Sequence, residues 1–359
     1  MSTAARVIVI GAGLSGLTTA SLLKNALGAE SSVTVLEATP SPGGILSAVA
    51  LDGMSLDPAT DAIATSPDQL ACMLRPHGIE LAIVRPQGLP QLLEVSGDQI
   101  QLGATIEPSV DVVGIEGGMW QLPTALASRV TVHSGVRATR INHAGSGWLI
   151  STADGSELSC DAVVAAIPPG ALAELLKPGP AEPTPTRFEP RLSVLLVYDR
   201  ADVPVPRGTG FLRPAALAER MPATGCTWID VKWPASVTRP DRAVARVVFD
   251  ASQQGVDDTE LRAHAHQLIS QLWDVQSPPV AAHVSRWSEG LPSKRTPSDP
   301  ATPRLSEPGL ALVGSARGCT GLGACLGDAE RAANQLLIDL GQREPSATPE
   351  RSAYGGEYA

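Results

Sequence analysis

The 359-residue chain lacks several features that are typical of other protein classes. No run of about 18 apolar residues occurs, so the sequence predicts no membrane-spanning segment. The first apolar run enters a glycine turn without a cleavage site, which predicts that no signal peptide is present. The net charge of −10 and the absence of any run of Lys or Arg argue against a nucleic-acid partner and against binding to an anionic membrane.

Cysteine pairs with C-x-x-C spacing are also missing. The five cysteines are scattered along the chain (Cys72, Cys160, Cys226, Cys319 and Cys325). This pattern predicts reduced thiols in a cytoplasmic protein. His264 and His266 are two residues apart on a predicted helix and point in different directions, so no metal site is predicted. With 43% apolar residues the chain has enough material for a sizeable core, and its length predicts two domains.

A positive signal lies at the N-terminus. The β-branched run RVIVI predicts a buried parallel strand, and LTTASLLKNAL continues with helical spacing. Between them, Gly11 permits a tight turn, Gly13 leaves room for a pyrophosphate at the helix start, and Gly16 lets helix and strand pack closely. The second predicted strand, SVTVLEA, contains Glu37 at its C-terminal end, where an acid accepts hydrogen bonds from a ribose. Strand, glycines, helix, strand and acid in this order predict dinucleotide binding.

The residues after Glu37 resemble the flavoprotein amine oxidase superfamily. The stretch TPSPGGILSAVALDGMSLD contains Gly43 and Gly44, followed by a predicted hairpin with an Asp52-Gly53 turn. The family carries E-A-x-x-R-x-G-G in this region, and its glycines pass close to FAD. Ser41 stands at the family's arginine position, so the resemblance implies that one cationic contact to FAD is missing.

Two further regions extend the resemblance. GLALVGSARGCTGLGACLGDAERAANQLLIDL predicts a second strand, glycine turn and helix, and GLGAC is similar to the L-G-x-C block of protoporphyrinogen oxidases. In the family these glycines face the flavin ring and the ribityl-phosphate region. In SGVRATRI, Val136 stands where the family's strand passes the adenine. The resemblance implies non-covalent FAD bound by Gly11, Gly13, Leu14, Ser15, Gly16, Glu37, Ala38, Gly43, Gly44, Val136, Gly314, Gly321, Leu322 and Gly323.

The predicted fold class is α/β. It combines a Rossmann-like FAD-binding domain of the glutathione reductase type with a discontinuous α+β substrate domain. We expect the FAD-binding domain to comprise residues 1–60, 115–170 and 283–342, and the reduced substrate domain to comprise 61–114 and 171–282. Residues 343–359 are polar and turn-rich, which predicts a disordered tail.

The chain resembles the bacterial protoporphyrinogen and coproporphyrinogen oxidases, but it is shortened between Leu89 and Gly114. In the family this region is a largely helical segment that roofs the tetrapyrrole pocket. We expect an FAD-dependent oxidase or dehydrogenase that oxidises a small organic substrate by hydride transfer to the flavin, with O2 as acceptor. Two alternatives stay open: a porphyrinogen oxidase of the haem pathway completed by a partner protein, and a non-catalytic flavin-binding partner or assembly protein. A homodimer is also compatible with the sequence.

Two side chains are candidates for direct roles in catalysis. Lys232, in DVKWP, is a lone lysine in a predicted apolar strand; it would order a water near the flavin, or lie in solvent on an edge strand. Arg286 would bind a substrate carboxylate through a bidentate contact, or stack on Trp287 in a structural role. Asp57 and Asp61 are predicted to be loop residues.

Overall fold

The computed structural model describes residues 4–176, 188–292 and 307–343. The predicted tail, apart from Arg343, lies outside the described residues, as do residues 293–306 of the predicted FAD-binding domain. Across the described residues the helices are α1 (Leu14–Ala26), α2 (Pro67–Leu74), α3 (Gln121–Ala127), α4 (Pro169–Leu175), α5 (Ile229–Lys232), α6 (Asp258–Trp273) and α7 (Leu322–Asp339). No helix among these residues is long and apolar enough to cross a membrane.

The strands form one parallel sheet, one large mixed sheet and three small antiparallel sheets. In chain order the strands are β1 (Arg6–Ile10), β2 (Ser32–Glu37), β3 (Val49–Leu51), β4 (Met54–Leu56), β5 (Ile63–Ala64), β6 (Ile83–Val84), β7 (Gln91–Ser96), β8 (Gln99–Thr105), β9 (Val112–Ile115), β10 (Thr131–Ser134), β11 (Ala138–Ala144), β12 (Gly147–Thr152), β13 (Glu157–Cys160), β14 (Ala162–Ala165), β15 (Phe188–Asp199), β16 (Gly210–Leu212), β17 (Ala223–Trp228), β18 (Arg242–Phe249), β19 (Ala281–Pro292) and β20 (Leu310–Leu312).

The parallel sheet has five strands in the order β10-β2-β1-β14-β20. Apart from the edge strand β10, its strands are largely apolar, because helices or a second sheet cover both faces of the sheet. Helices α1, α3 and α7 contribute to the core on one face. The antiparallel meander β11–β13 and helix α4 contribute to the core on the other face. The predicted Rossmann-like architecture is therefore confirmed, with strands drawn from both ends of the described chain.

The mixed sheet has seven strands in the order β19-β15-β18-β17-β16-β7-β8. All pairs are antiparallel except β16 with β7. In β15, Leu192, Val194 and Leu196 belong to the core that this sheet shares with α6. Leu195 and Val197 belong to a second core, to which β4 contributes. The two faces of β15 are therefore both covered.

Helix α6 begins directly after an Asp cap, Asp257. The Asp257 carboxylate accepts from the backbone N–H groups of Thr259 and Glu260, which satisfies two donors that have no partner within the helix. The helix then runs to Trp273, and its apolar side packs on the seven-stranded sheet.

The small elements refine the predicted domain boundaries. The predicted hairpin with the Asp52-Gly53 turn is present as β3–β4. Within 61–114, α2 packs into the same core as α1, whereas the β7–β8 hairpin extends the seven-stranded sheet. The predicted boundary at 283 falls inside β19, which pairs along its length with β15. Residues 283–292 therefore belong to the seven-stranded sheet, because strand pairing continues across the predicted boundary.

Candidate functional site

The first glycine turn connects β1 to α1, and its three glycines differ in what surrounds them. A Cβ added to Gly11, whose φ is +102°, would lie 2.5 Å from the carbonyl oxygen of Ala166. A Cβ on Gly16 would overlap the carbonyl oxygen of Gly11. These two glycines are needed for packing within the protein. At Gly13, φ is −74° and an added Cβ meets no atom within 4 Å, so this glycine leaves open space at the helix start.

Two helices begin with exposed backbone donors near this turn. Gly13 is the N-cap of α1 and Gly321 is the N-cap of α7, and no side chain of the described residues caps either helix. Neither helix has an acidic residue in its first turn. The free N–H groups and the positive end of each helix dipole are therefore available to an anionic ligand.

The N-terminal and C-terminal glycine turns are in direct contact. A Cβ on Gly314 would overlap the hydroxyl oxygen of Ser15, in the first turn of α1. The Ser15 side chain also lies close to the thiol of Cys325, in the first turn of α7. The two turns, about 300 residues apart in the chain, thus lie at the same carboxyl edge of the parallel sheet, where ligands bind in open α/β sheets.

The second predicted glycine pair joins the same edge. The backbone N–H of Gly43 donates to the carbonyl of Ala12 at 2.8 Å. A Cβ on Gly44 would lie 3.2 Å from the Cα of Gly13. Leu14 is buried at the start of α1, and Leu322 is half-buried at the start of α7. Gly43 and Gly44 therefore pack directly against the turn that holds Gly13.

Glu37 ends β2 beside these turns and is only 8% exposed. Its Oε2 accepts from the backbone N–H of Ala12 at 2.8 Å. Its Oε1 accepts from the backbone N–H and the hydroxyl of Thr39, at 2.8 and 2.7 Å. The backbone N–H of Val136 donates to the Glu37 carbonyl, also at 2.8 Å. A carboxylate has about four acceptor sites, so capacity for a ribose hydroxyl remains. Ala38 follows Glu37 directly and is half-buried.

A buried cluster of charges lies where the loop after β4 meets the seven-stranded sheet. Asp61 Oδ1 is 2.5 Å from Nη2 of Arg246, and its Oδ2 is 3.0 Å from Nζ of Lys232. The indole N–H of Trp233 donates to Asp61 Oδ2 at 2.6 Å. Burial alone raises the pKa of Asp61, but the charges of Arg246 and Lys232 outweigh it and hold this pKa well below its usual value.

Asp57 lies beside this cluster and has a different environment. Its carboxylate accepts from the backbone N–H groups of Met119 and Trp120 at 2.7 and 2.9 Å. Burial raises the pKa of Asp57 to about 6, because these two bonds and the charge of Arg246 only partly offset the loss of water. Asp57 and Asp61 are loop residues as predicted, but they are buried at 7% and 8% exposure.

The two predicted catalytic residues lie in different places. The sequence predicts Lys232 in a strand. In the structure β17 ends at Trp228, and Lys232 is the last residue of the short helix α5. On this helix, Asp230 accepts from the backbone N–H of Val244. Both predicted locations, the apolar strand and the solvent-exposed edge strand, are therefore wrong. Arg286 lies on β19, and its guanidinium donates to Asp258 and to the carbonyls of Gln254 and Val256. The structure does not bring it to the glycine turns.

Sequence reasoning missed two buried charged residues. Arg246 interrupts the apolar strand RAVARVVF and is 5% exposed, so a lone charge in a buried strand was the available signal. Asp328, in α7, is 1% exposed and accepts from the backbone N–H of Gly314 at 2.8 Å. Among the described residues, no group of three or more His, Cys, Asp or Glu side chains is arranged to hold a metal ion.

A separate groove of about 750 Å³ lies between α6 and the β7–β8 turn. Its walls include Gln99, Gln267 and Gln271, together with Leu268 and Leu272. None of the predicted cofactor residues lines it. We therefore place the candidate site at the glycine turns and not at this groove.

Comparison with known families defines the class of protein. The model of the flavin containing amine oxidoreductase family matches residues 87–337, and a model of NAD(P)-binding Rossmann-like domains matches residues 9–75. The chain belongs to the flavin containing amine oxidoreductase family, and FAD is its cofactor. The site fits this group: the space at Gly13 and the two uncapped helix N-termini suit a diphosphate, and Glu37 suits a ribose.

Individual relatives are similar over part of their length. Coproporphyrinogen III oxidase of Bacillus subtilis (strain 168) is 22% identical over 58% of this chain and 47% of the relative. Coproporphyrinogen III oxidase of Mycobacterium tuberculosis (strain H37Rv) is 29% identical over 63% of this chain and 51% of the relative. The chain thus spans about half the length of the curated relatives it matches. The structure of cyclohexylamine oxidase from Brevibacterium oxydans IH-35A has a TM-score of 0.73 at 14% identity, covering 94% of this chain and 100% of that chain, and so shares the fold.

Proposed function

We propose that this protein is an FAD-dependent oxidoreductase that oxidises a small organic substrate by hydride transfer to the flavin, with O2 as acceptor. The observation that carries the proposal is the contact between two glycine turns, each opening a helix whose first N–H groups are uncapped. Such donors stabilise a diphosphate, and the contact between Ser15 and Gly314 allows both turns to bind a single FAD.

In this proposal each turn holds one part of the cofactor. The N-terminal residues bind the adenosine diphosphate part, with Glu37 accepting from the ribose and Val136 beside the adenine. The C-terminal residues bind the flavin half. The assigned residues are Gly11, Gly13, Leu14, Ser15, Gly16, Glu37, Ala38, Gly43, Gly44 and Val136 for the first part, and Gly314, Gly321, Leu322 and Gly323 for the second.

Bound FAD supplies a hydride acceptor, so the protein has to position the substrate and exclude water. We assign Lys232 to ordering a water near the substrate, because its ammonium group is held by Asp61 at 3.0 Å and its side chain remains 18% exposed. Arg286 is assigned a structural role, since Asp258 and two backbone carbonyls already use its donors.

A porphyrinogen is the second candidate substrate, since two coproporphyrinogen III oxidases are among the relatives. In this case a partner protein would roof the pocket, because residues 91–105 form only a β-hairpin where the family has a helical segment. A protein that binds flavin without turnover is the third candidate.

Spectroscopy of the purified protein tests these candidates. We expect a flavin absorption band that bleaches anaerobically when a small amine is added and returns when O2 is admitted. Bleaching by a porphyrinogen and not by amines would favour the second candidate. A yellow protein that neither substrate bleaches would favour the third. A colourless protein that takes up no added FAD would contradict all three.

A further inference from the structure

The C-terminal glycine turn, residues 314–321, packs against a buried carboxylate. Asp328 lies in the second turn of α7 and is 1% exposed. Its Oδ2 accepts from the backbone N–H of Gly314 at 2.8 Å. Its Oδ1 is 3.1 Å from Nε of Arg317 and 3.1 Å from Nη2 of Arg331. Burial and the nearby Asp328 carboxylate raise the pKa of the Cys319 thiol.

These contacts tie the turn to the helix that follows it. Gly314 and Arg317 both belong to the turn, and both contact the same side chain. Burying a carboxylate away from water is unfavourable unless charged or N–H donors surround it, so the turn has to keep its donors in place around Asp328.

The turn needs these contacts with Asp328 because its backbone is otherwise weakly restrained. Gly314, Gly318 and Gly321 have φ values of +65°, +73° and +83°, which lie in the left-handed region. Glycine reaches this region at little cost, but it also loses the most conformational freedom when it becomes ordered. A buried carboxylate that contacts the turn at Gly314 and Arg317 holds it in one conformation before any ligand binds.

We propose that Asp328 is a positioning residue for FAD: it holds the turn 314–321 in the conformation that binds the flavin half. The inference rests on the proposed function, since that function assigns the turn to the flavin. Asp328 itself does not contact the cofactor in this proposal; it acts through Gly314 and Arg317. The N-terminal turn at Gly13 is unaffected.

The test compares FAD with ADP, which occupies only the N-terminal half of the site. Asp328→Asn keeps the size of the side chain but replaces one acceptor oxygen with a donor, so it cannot accept from Gly314 and Arg317 together. We expect FAD binding, measured by quenching of flavin fluorescence, to weaken about tenfold or more. We expect ADP binding, measured by calorimetry, to stay unchanged. A variant damaged throughout its fold would lose both ligands.

Two arginine variants form a matched pair. Arg317→Gln and Arg331→Gln each remove one ion pair with Asp328 Oδ1, but only Arg317 lies in the turn. We expect R317Q to weaken FAD binding without affecting ADP, and R331Q to affect neither. If D328N does not fold, the FAD and ADP affinities of R317Q test the inference. Wild-type FAD affinity in both D328N and R317Q, or equal loss of FAD and ADP, would overturn the inference. Absence of FAD binding by the wild type would instead contradict the proposed function.

Discussion

Gly13 and Gly28 are matched residues that lie on either side of α1. An added Cβ meets no protein atom within 4 Å at either position, and neither has a φ in the left-handed region. The folded protein should therefore accept alanine at both. Only the proposed ligand distinguishes the two positions, because Gly13 faces the space where we place the diphosphate.

We expect Gly13→Ala to weaken FAD binding about tenfold or more, because the new methyl group occupies the place of the ligand. Gly28→Ala should bind FAD like the wild type. Fluorescence titration measures both affinities, and urea unfolding of the FAD-free proteins should give equal stabilities. Equal FAD affinities for the two variants would show that the diphosphate does not lie at Gly13.

Gly16 should respond in the opposite way, since its neighbours belong to the protein. A Cβ there overlaps the carbonyl of Gly11 and lies 2.9 Å from the Cβ of Ala166. We expect Gly16→Ala to lower the free energy of unfolding of the FAD-free protein by about 1–3 kcal/mol, because β1 and α1 must separate. Urea denaturation beside G28A measures this. A stability equal to that of G28A would contradict the packing role.

At the scale of elements, the Asp61 cluster joins three parts of the chain. The loop after β4 supplies Asp61, α5 supplies Lys232 and β18 supplies Arg246. We expect Asp61→Asn to lower the free energy of unfolding by about 3–5 kcal/mol, because two cations lose their buried partner. Chemical denaturation near pH 7 measures the change.

An exposed ion pair provides the control for this variant. Asp111 lies 3.3 Å from Arg85, and the two side chains are 52% and 61% exposed. Asp111→Asn should change the free energy of unfolding by less than about 1 kcal/mol, because water screens this pair. A similar effect of D61N and D111N would show that the Asp61 cluster does not stabilise the contact between the elements.

A second element-scale feature is the packing of the turn after α2 against α1. His77 is 2% exposed, and its Nδ1 lies 3.0 Å from the hydroxyl of Ser21. Its Nε2 has no hydrogen-bond partner among the described residues. Burial lowers the pKa of His77 from 6.5 to about 4. Between these two pH values the unfolded chain therefore binds the proton more readily than the folded protein does.

Folding stability should consequently fall as the pH is lowered from 6.5 towards 4. At pH 5 this effect of His77 lowers the free energy of unfolding by about 2 kcal/mol. The effect vanishes above pH 7, where the imidazole is neutral in both the folded and the unfolded protein. His77→Gln cannot take up a proton and should show a smaller loss between pH 7 and pH 5. Denaturation curves at the two pH values measure this, and equal losses in both proteins would assign the acid sensitivity elsewhere.

Local patterns predicted the elements whose signals are contiguous in the chain. The stretches from β1 to β2 and from β20 to α7 each carry strand, glycine and helix signals within about 30 residues, and the Asp52-Gly53 hairpin carries a turn signal between two strands. The location of Lys232 was wrong because α5 is fixed by tertiary contacts. Asp230 on this helix bonds to Val244 and Arg200, and neither partner is close in sequence.

The same limit applies to the candidate site. Sequence could indicate the glycines, since their role is local, but it could not indicate that Asp61 meets Arg246, 185 residues away. It also could not show that Asp258 binds the guanidinium of Arg286, because the first residue of a helix and a strand residue have no common pattern. The folded structure determines which charged residues pair when they are far apart in the sequence.

At the scale of the whole molecule, the cofactor should act as part of the fold. FAD bound between the two glycine turns interacts with the folded state only, so it stabilises that state by about 2.7 kcal/mol at a concentration 100 times the Kd. We expect added FAD to raise the thermal unfolding midpoint of the wild type and of G28A, but much less that of G13A. Calorimetry at several FAD concentrations measures this, and a midpoint independent of FAD would contradict the proposed site.

The strand order of the parallel sheet also determines how late in translation its last strand can be added. β1, β2 and β14 leave the ribosome early, but β20 and α7 comprise residues 310–339. Until these residues emerge, one side of β14 has no neighbour and Ser15 has no opposing turn. We therefore expect chains that lack residues 310–339 to bind FAD more weakly than chains that contain them.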